Sequence, residues 1–145
     1  MNHPEYNLQK QLCQYLNLQY KDVLYLSDTV ASVKLTMMQA TRNKAIQKCG
    51  FKCPDLIILQ PNKYFNGLML ELKVENPYKK DGNIKSDAHL IGQDESLRQL
   101  RKLGYWAGFA WEFNMAKKII DNYMSDIESQ GVKISNFTIK KMQQP

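Results

Sequence analysis

The sequence predicts an α/β domain in which helices flank a mixed central β-sheet. Three observations carry that expectation. Leucines recur at helical spacing in two stretches, Leu8, Leu12 and Leu16, and then Leu97, Leu100 and Leu103. An unbroken apolar run at 56–59 and an alternating one at 68–74 read as strands. Another strand pattern, 105–111, follows the second leucine helix. The periods therefore interleave as helix, strand, helix, strand, strand, helix, strand, helix.

The first helix is expected to start at Asn2-His3-Pro4-Glu5, with Asn2 as cap and proline in the first turn, where its missing N–H costs nothing. It should end near Asn17. Extending its leucine stripe backward by one turn lands on Glu5, which places a carboxylate on the core-facing side near the helix start. There it complements the helix dipole or caps the first turn. A strand at 23–26 leads through Ser27-Asp28 to an irregular segment at 30–33. A helix at 37–48 follows, with Met38, Ala45, Ile46 and Cys49 as its apolar residues and Gly50 as its stop.

Between the strands at 56–59 and 68–74, Gln60-Pro61-Asn62-Lys63 supplies turn residues, so the two should form a hairpin. On the second strand Leu68, Leu70, Leu72 and Val74 share one face, and Met69, Glu71 and Lys73 the other. Residues 75–90 carry two breakers, many charges and little apolar content, and are expected to be a long loop, either a plain insertion or a functional cover. The helix at 93–103 buries Gln93 with its leucines and stops at Gly104. Asn114 is the expected cap of a last helix, 115–127, which covers the sheet with Ile119, Ile120 and Tyr123. The aromatic strand at 105–111 suits an interior position better than base stacking. The tail, 131–145, fits an edge strand, a dimer arm or disorder.

The hairpin brings chemistry together. Asp55 opens its first arm, and Glu71 and Lys73 point from the far end of its second, so two carboxylates and an ammonium should converge. Carboxylate oxygens suit a magnesium-type ion, which takes one or two of them and fills its remaining positions with water and phosphate oxygens. A lysine beside them can orient an attacking water and offset charge developing on phosphorus. Glu-x-Lys on a strand is also what an ordinary solvated face presents.

Pro54-Asp55, a hydrophobic strand, a turn and then Glu71-x-Lys73 on a second strand resemble the PD-(D/E)xK nuclease superfamily. Within it the chain looks most like the VRR-NUC group, over residues 5–123. Gly50-Phe51-Lys52-Cys53-Pro54-Asp55-Leu56-Ile57 is similar to the group's Gly-x-x-x-Pro-Asp-Leu-Ile signature. Gln93 with Leu97, Leu100 and Gly104-Tyr105 matches its Gln-containing helix leading into a strand. The resemblance implies a restriction-endonuclease-like core and a metal-dependent endonuclease acting on DNA, branched forms such as Holliday junctions or forks included. It implies Asp55, Glu71 and Glu5 around Mg²⁺, with Mn²⁺ as a substitute. It also implies Lys73 at the nucleophile, Gln93 beside the site, and a homodimer.

Composition sets the limits. The 145 residues fit one domain, 1–145, large enough to bury around two thirds of the surface its unfolded chain exposes. Twenty Lys and Arg against fourteen Asp and Glu give a net charge of +6, which suits a polyanionic partner. Arg42, Lys44, Lys48 and Lys52 just upstream of Asp55, Lys79, Lys80 and Lys85 in the loop, and Arg98, Arg101 and Lys102 on the later helix are the candidate phosphate contacts. Three cysteines, Cys13, Cys49 and Cys53, without zinc-ligand spacing point to free thiols and a cytoplasmic, reducing setting. No apolar run reaches membrane-span length, and no nucleotide cofactor is expected.

Overall fold

The computed structural model describes residues 3–30 and 33–127. Four helices and four strands follow in the expected order: α1 (Pro4–Gln19), β1 (Tyr25–Ser27), α2 (Met37–Ile46), β2 (Leu56–Ile58), β3 (Leu68–Leu72), α3 (Ala88–Lys102), β4 (Trp106–Ala110) and α4 (Phe113–Ser125). The sheet runs β1-β2-β3-β4, antiparallel across β1/β2 and β2/β3 and parallel across β3/β4. A mixed α/β sheet is what the interleaved periods predicted. The β2-β3 hairpin sets the register Leu56↔Leu70, Ile57↔Met69 and Ile58↔Leu68. Continuing that register puts Asp55 beside Glu71.

Alternation along β3 divides the core in two. Leu68, Leu70 and Leu72 face α1 and α4, packing with Leu8, Leu12, Leu16, Ala116 and Ile120. Met69 faces α3, packing with Leu97, Leu100, Ala107 and Phe109. Both faces of β3 are thus covered, and each fully buried leucine or isoleucine contributes about 1.5–3 kcal/mol relative to exposure. Glu71 lies on the α3 face inside this layer and is only 4 % exposed.

Several boundaries differ from expectation. The residue at the N-terminal cap of α1 is His3, not Asn2, and its side chain makes no capping bond. α2 ends at Ile46, two residues short of the expected end, and Gly50 takes its positive φ of 73° in the turn beyond. A reciprocal capping box of Thr36 and Gln39 starts that helix, yet no residue of it is buried. β3 stops at Leu72, so Val74 and Glu75 are exposed instead of continuing the two faces.

The loop expected at 75–90 is shorter and built. Tyr78 and Ile84 form an antiparallel bridge, Pro77 is buried, and the Tyr78 ring meets Phe109 and Trp111 edge-to-face. Asp87 then caps α3 by accepting the Leu90 N–H at 2.9 Å, so the helix begins five residues earlier than its leucine stripe showed. Leu103, expected inside, is 65 % exposed because it stands at the cap after the last helical turn. Glu112, not Asn114, occupies the cap position of α4. The proposed tail at 131–145 lies outside the described residues.

Candidate functional site

Asp55 is placed by backbone as much as by side chain. Its carbonyl accepts the Asp28 N–H at 2.9 Å and the Gln9 amide at 3.2 Å, and its Oδ2 accepts the Leu72 N–H at 2.8 Å. The carboxylate therefore closes the β2/β3 ladder where the strand ends. Glu71 meets it from β3, next to it in the register and close enough for its carboxyl to be raised by the Asp55 charge. Lys73, whose N–H bonds the Ala110 carbonyl at 2.9 Å, brings its ammonium to 3.4 Å from Glu71 Oε1. From α3, the Gln93 amide nitrogen donates to the same Oε1. The hairpin thus brings together Asp55, Glu71 and Lys73, as its alternation predicted, and α3 sets Gln93 beside them, where the resemblance put it.

Burial of these acids is not offset by enough positive charge. Glu71 is pushed up to about 8, first by loss of solvent and then by the Asp55 charge, with Lys73 pulling only partly the other way. Asp55 is also raised by burial, which outweighs the Leu72 N–H and the Lys73 charge, and Glu5 and Asp28 push in the same direction. Gln93 Oε1 is buried without a hydrogen-bond partner. Leaving such an atom unpaired costs about 1–3 kcal/mol. A cation or a donor placed between these groups would relieve the carboxylates and satisfy the amide oxygen. Among the described residues no three His, Cys, Asp or Glu are grouped so as to hold a metal ion. The pair Asp55 and Glu71 still matches what a magnesium-type ion asks of a protein, with water and phosphate oxygens supplying the rest.

The acids line a cavity of about 900 Å³ together with Glu5, Asp28, Lys44, Lys48, Lys52, Lys73, His89 and Gln93. Glu5 is exposed at the cavity mouth: it shares the helix face of Leu8 and Gln9, as expected, but stands one turn before them, where that face borders the cavity instead of the core. Lys44, Lys48 and Lys52 reach the cavity as the upstream basic cluster predicted. Arg42, Lys79, Lys80, Lys85 and Lys102 do not line it. Arg98 pairs with the largely buried Asp94 at 3.0 Å, and Arg101 donates to the Ala107 carbonyl at 2.7 Å, so both have structural partners away from the acids.

Two residues escaped sequence reasoning. Gln9 fastens α1 to the site by donating to the carbonyls of Asp28 and Asp55. Its position four after Glu5 and three before Leu12 was the available signal. His89 lies one turn before Gln93 on α3, inside the stretch taken for loop, so no helical face was assigned to it.

The arrangement defines an α/β domain whose central hairpin presents a paired-carboxylate site against a helix-borne glutamine. A solved structure described as a VRR_NUC domain protein shares this fold, with a TM-score of 0.57 at 18 % identity over 88 % of this chain and 93 % of that one. No protein-family model and no curated protein matches the sequence. The likeness therefore establishes the fold, and no helix of the described residues is long and apolar enough to cross a membrane.

Proposed function

We propose that the chain is a metal-dependent endonuclease that hydrolyses phosphodiester bonds in DNA, with branched DNA such as four-way junctions or forks as its substrate class. One observation carries the reading: Asp55, Glu71, Lys73 and Gln93 converge on one basic-rimmed cavity with two carboxyls raised and an amide oxygen unsatisfied. The fold shared with a VRR_NUC domain protein supports it. Asp55 and Glu71 would hold Mg²⁺ or Mn²⁺, and Glu5 would act from the mouth on the ion or its waters. When bound, the ion supplies Lewis-acid polarisation of a phosphoryl oxygen and a more acidic water.

The chain's own residues do the remaining work. Lys73 orients the attacking water and offsets charge as the phosphorus becomes five-coordinate. Gln93 keeps its amide nitrogen on Glu71 and offers its oxygen to a water proton, which fixes the water's orientation. Gln9 holds the Asp55 backbone, and with it the carboxylate, at the strand end. Water adds to phosphorus, one P–O ester bond breaks, and a phosphomonoester and a hydroxyl leave. A homodimer working in the cytoplasm completes the proposal.

The test is a panel of labelled branched, flapped and linear DNA and RNA substrates, incubated with Mg²⁺ and with gel filtration alongside. Wild type is expected to cut branched DNA and to elute as a dimer, and Glu71→Ala and Lys73→Ala to lose cleavage. Equal cleavage by all three would remove the assignment. DNA binding without cleavage by wild type would instead mark a binding domain that keeps the fold.

A further inference from the structure

Lys52 is held in a way that an ordinary exposed lysine is not. Its backbone N–H donates to Ser96 Oγ at 2.8 Å, and Ser96, which is buried, donates in turn to the Gly92 carbonyl at 3.1 Å. Its side chain then crosses α3 at Gly92, where an added Cβ would come within 2.7 Å of Lys52 Cε. Beyond that crossing its ammonium lies 3.2 Å from His89 Nδ1. Ser96, Gly92 and His89 stand on one face of α3, at successive turns, and make a track for the stem. The residue four after His89 is Gln93, so the track runs beside the acids, and Lys52, His89 and Gly92 all line their cavity.

A long, exposed lysine stem loses rotamer freedom when it is held, and a track that restrains it needs a use for the head-group. His89 cannot neutralise it. Burial and the charges of Lys52 and Lys73 hold the imidazole below its ordinary value, against the opposing charges of Asp87 and Glu5, so at neutral pH it is an uncharged acceptor at Nδ1. None of the described acids is paired with Lys52 by an ion pair. A full positive charge is left facing the cavity, aimed by a neutral acceptor. Its complement is an anion.

We propose that Lys52 contacts a backbone phosphate of the nucleic acid in this cavity, and that His89 and Gly92 are positioning residues that hold its ammonium to that phosphate. The inference rests on the nuclease reading for the identity of the anion. It separates Lys52 from Lys44 and Lys48, which line the same cavity without such a track. Binding needs only the charge. Cleavage needs the charge held in place.

Binding and cleavage are measured on the full chain with a labelled DNA substrate of the panel, binding in EDTA across a salt series and cleavage with Mg²⁺. The variants are Lys52→Ala, His89→Ala, Gly92→Ala and, as a control at the opposite end of the hairpin, Lys63→Ala. Loss of one phosphate contact lowers the slope of log affinity against log salt by about 0.9. Lys52→Ala is expected to show that change and Lys63→Ala not to. His89→Ala and Gly92→Ala should keep the wild-type slope and KM while kcat falls about 10- to 100-fold, the cost of a misplaced group. His89→Ala carries that comparison alone if Gly92→Ala does not fold. If wild type cleaves and Lys52→Ala keeps the slope of Lys63→Ala, this proposal falls and the nuclease reading stands. A wild-type kcat in His89→Ala removes the positioning role. If wild type binds DNA but never cleaves, while Lys52→Ala loses the slope, the hydrolase falls and the phosphate contact stands. Absence of DNA binding by wild type overturns both.

Discussion

One helix, α1, serves two carboxylate clusters of opposite character. Near its end, Tyr15 and the following Tyr20 both donate their hydroxyls to Asp121 Oδ1, and Lys117 donates to Oδ2 at 2.7 Å. Burial pushes Asp121 up, but these bonds overcome it and hold the carboxyl below its usual range. Near its start, Glu5 and Gln9 border Asp55 and Glu71, where burial wins and both carboxyls rise. The first cluster is complete within the chain and ties α1 to α4. The second has more negative charge than its one lysine offsets and an amide oxygen with no partner. The first cluster is satisfied without a ligand; the second leaves charge unbalanced and an acceptor open.

The sharpest way to break this contrast is to remove the acid at its centre. On the nuclease reading Glu71→Gln lowers kcat by at least about 10²–10³-fold, the scale of losing one preorganised charge at a reacting phosphate. A Glu71→Gln rate within threefold of wild type would show that the second cluster is as structural as the first.

Next in size is a stability effect. The folded Glu71 keeps its proton to about 8, whereas the unfolded chain releases it in the ordinary carboxylate range. The folded state therefore binds more protons in that window, and stability falls as pH rises through it, by roughly a few kcal/mol in divalent-free buffer. Glu71→Gln should flatten the slope. Mg²⁺ or Mn²⁺ at 100 times its Kd should restore about 2.7 kcal/mol at pH 8. Thermal unfolding at pH 5 and pH 8, with and without metal, checks this; a melting temperature that rises with pH and ignores metal refutes it.

The hairpin side of the comparison was legible in the chain and the other side was not, for a physical reason. Asp55, Glu71 and Lys73 are placed by period-two alternation over two short strands, and Gln93 by one helical stripe, all local rules. Tyr15 and Tyr20 meet Asp121 across about a hundred residues, and nothing in either helix alone marks that pairing; only Lys117 and Asp121, four apart on α4, follow a local rule. His89 and the first turns of α3 were hidden because their anchor, Asp87, sits among charges that read as loop. The Tyr78 ring packs on Phe109 and Trp111 and its backbone bridges to Ile84, contacts that no local pattern encodes.

Between the extremes lies Gln93, which belongs to the second cluster yet carries no charge. Gln93→Ala removes both the amide bond to Glu71 and the orphaned oxygen, so stability changes little while cleavage falls about 10- to 100-fold, as for groups that orient a metal's ligands. The half-saturating Mg²⁺ concentration should rise with it. An unchanged Mg²⁺ requirement would place Gln93 in packing alone.

The smallest effect belongs to the first cluster. Asp121→Asn keeps the shape and removes the charge, and because Asp121 is partly open to water its ion pair and hydrogen bonds together contribute only about 1 kcal/mol. Its carboxyl is held below the unfolded value, so this contribution is present above the ordinary carboxylate range and is lost as pH falls through the lowered folded value. Denaturant midpoints of wild type and Asp121→Asn should therefore differ at pH 7 and converge in acid, the reverse of the trend for Glu71. Cleavage should not change, since Asp121 is remote from the cavity that holds the acids. An Asp121→Asn variant that lost activity as Glu71→Gln does would mean that α1 couples the two clusters, and the helix would then have to be read as part of the site.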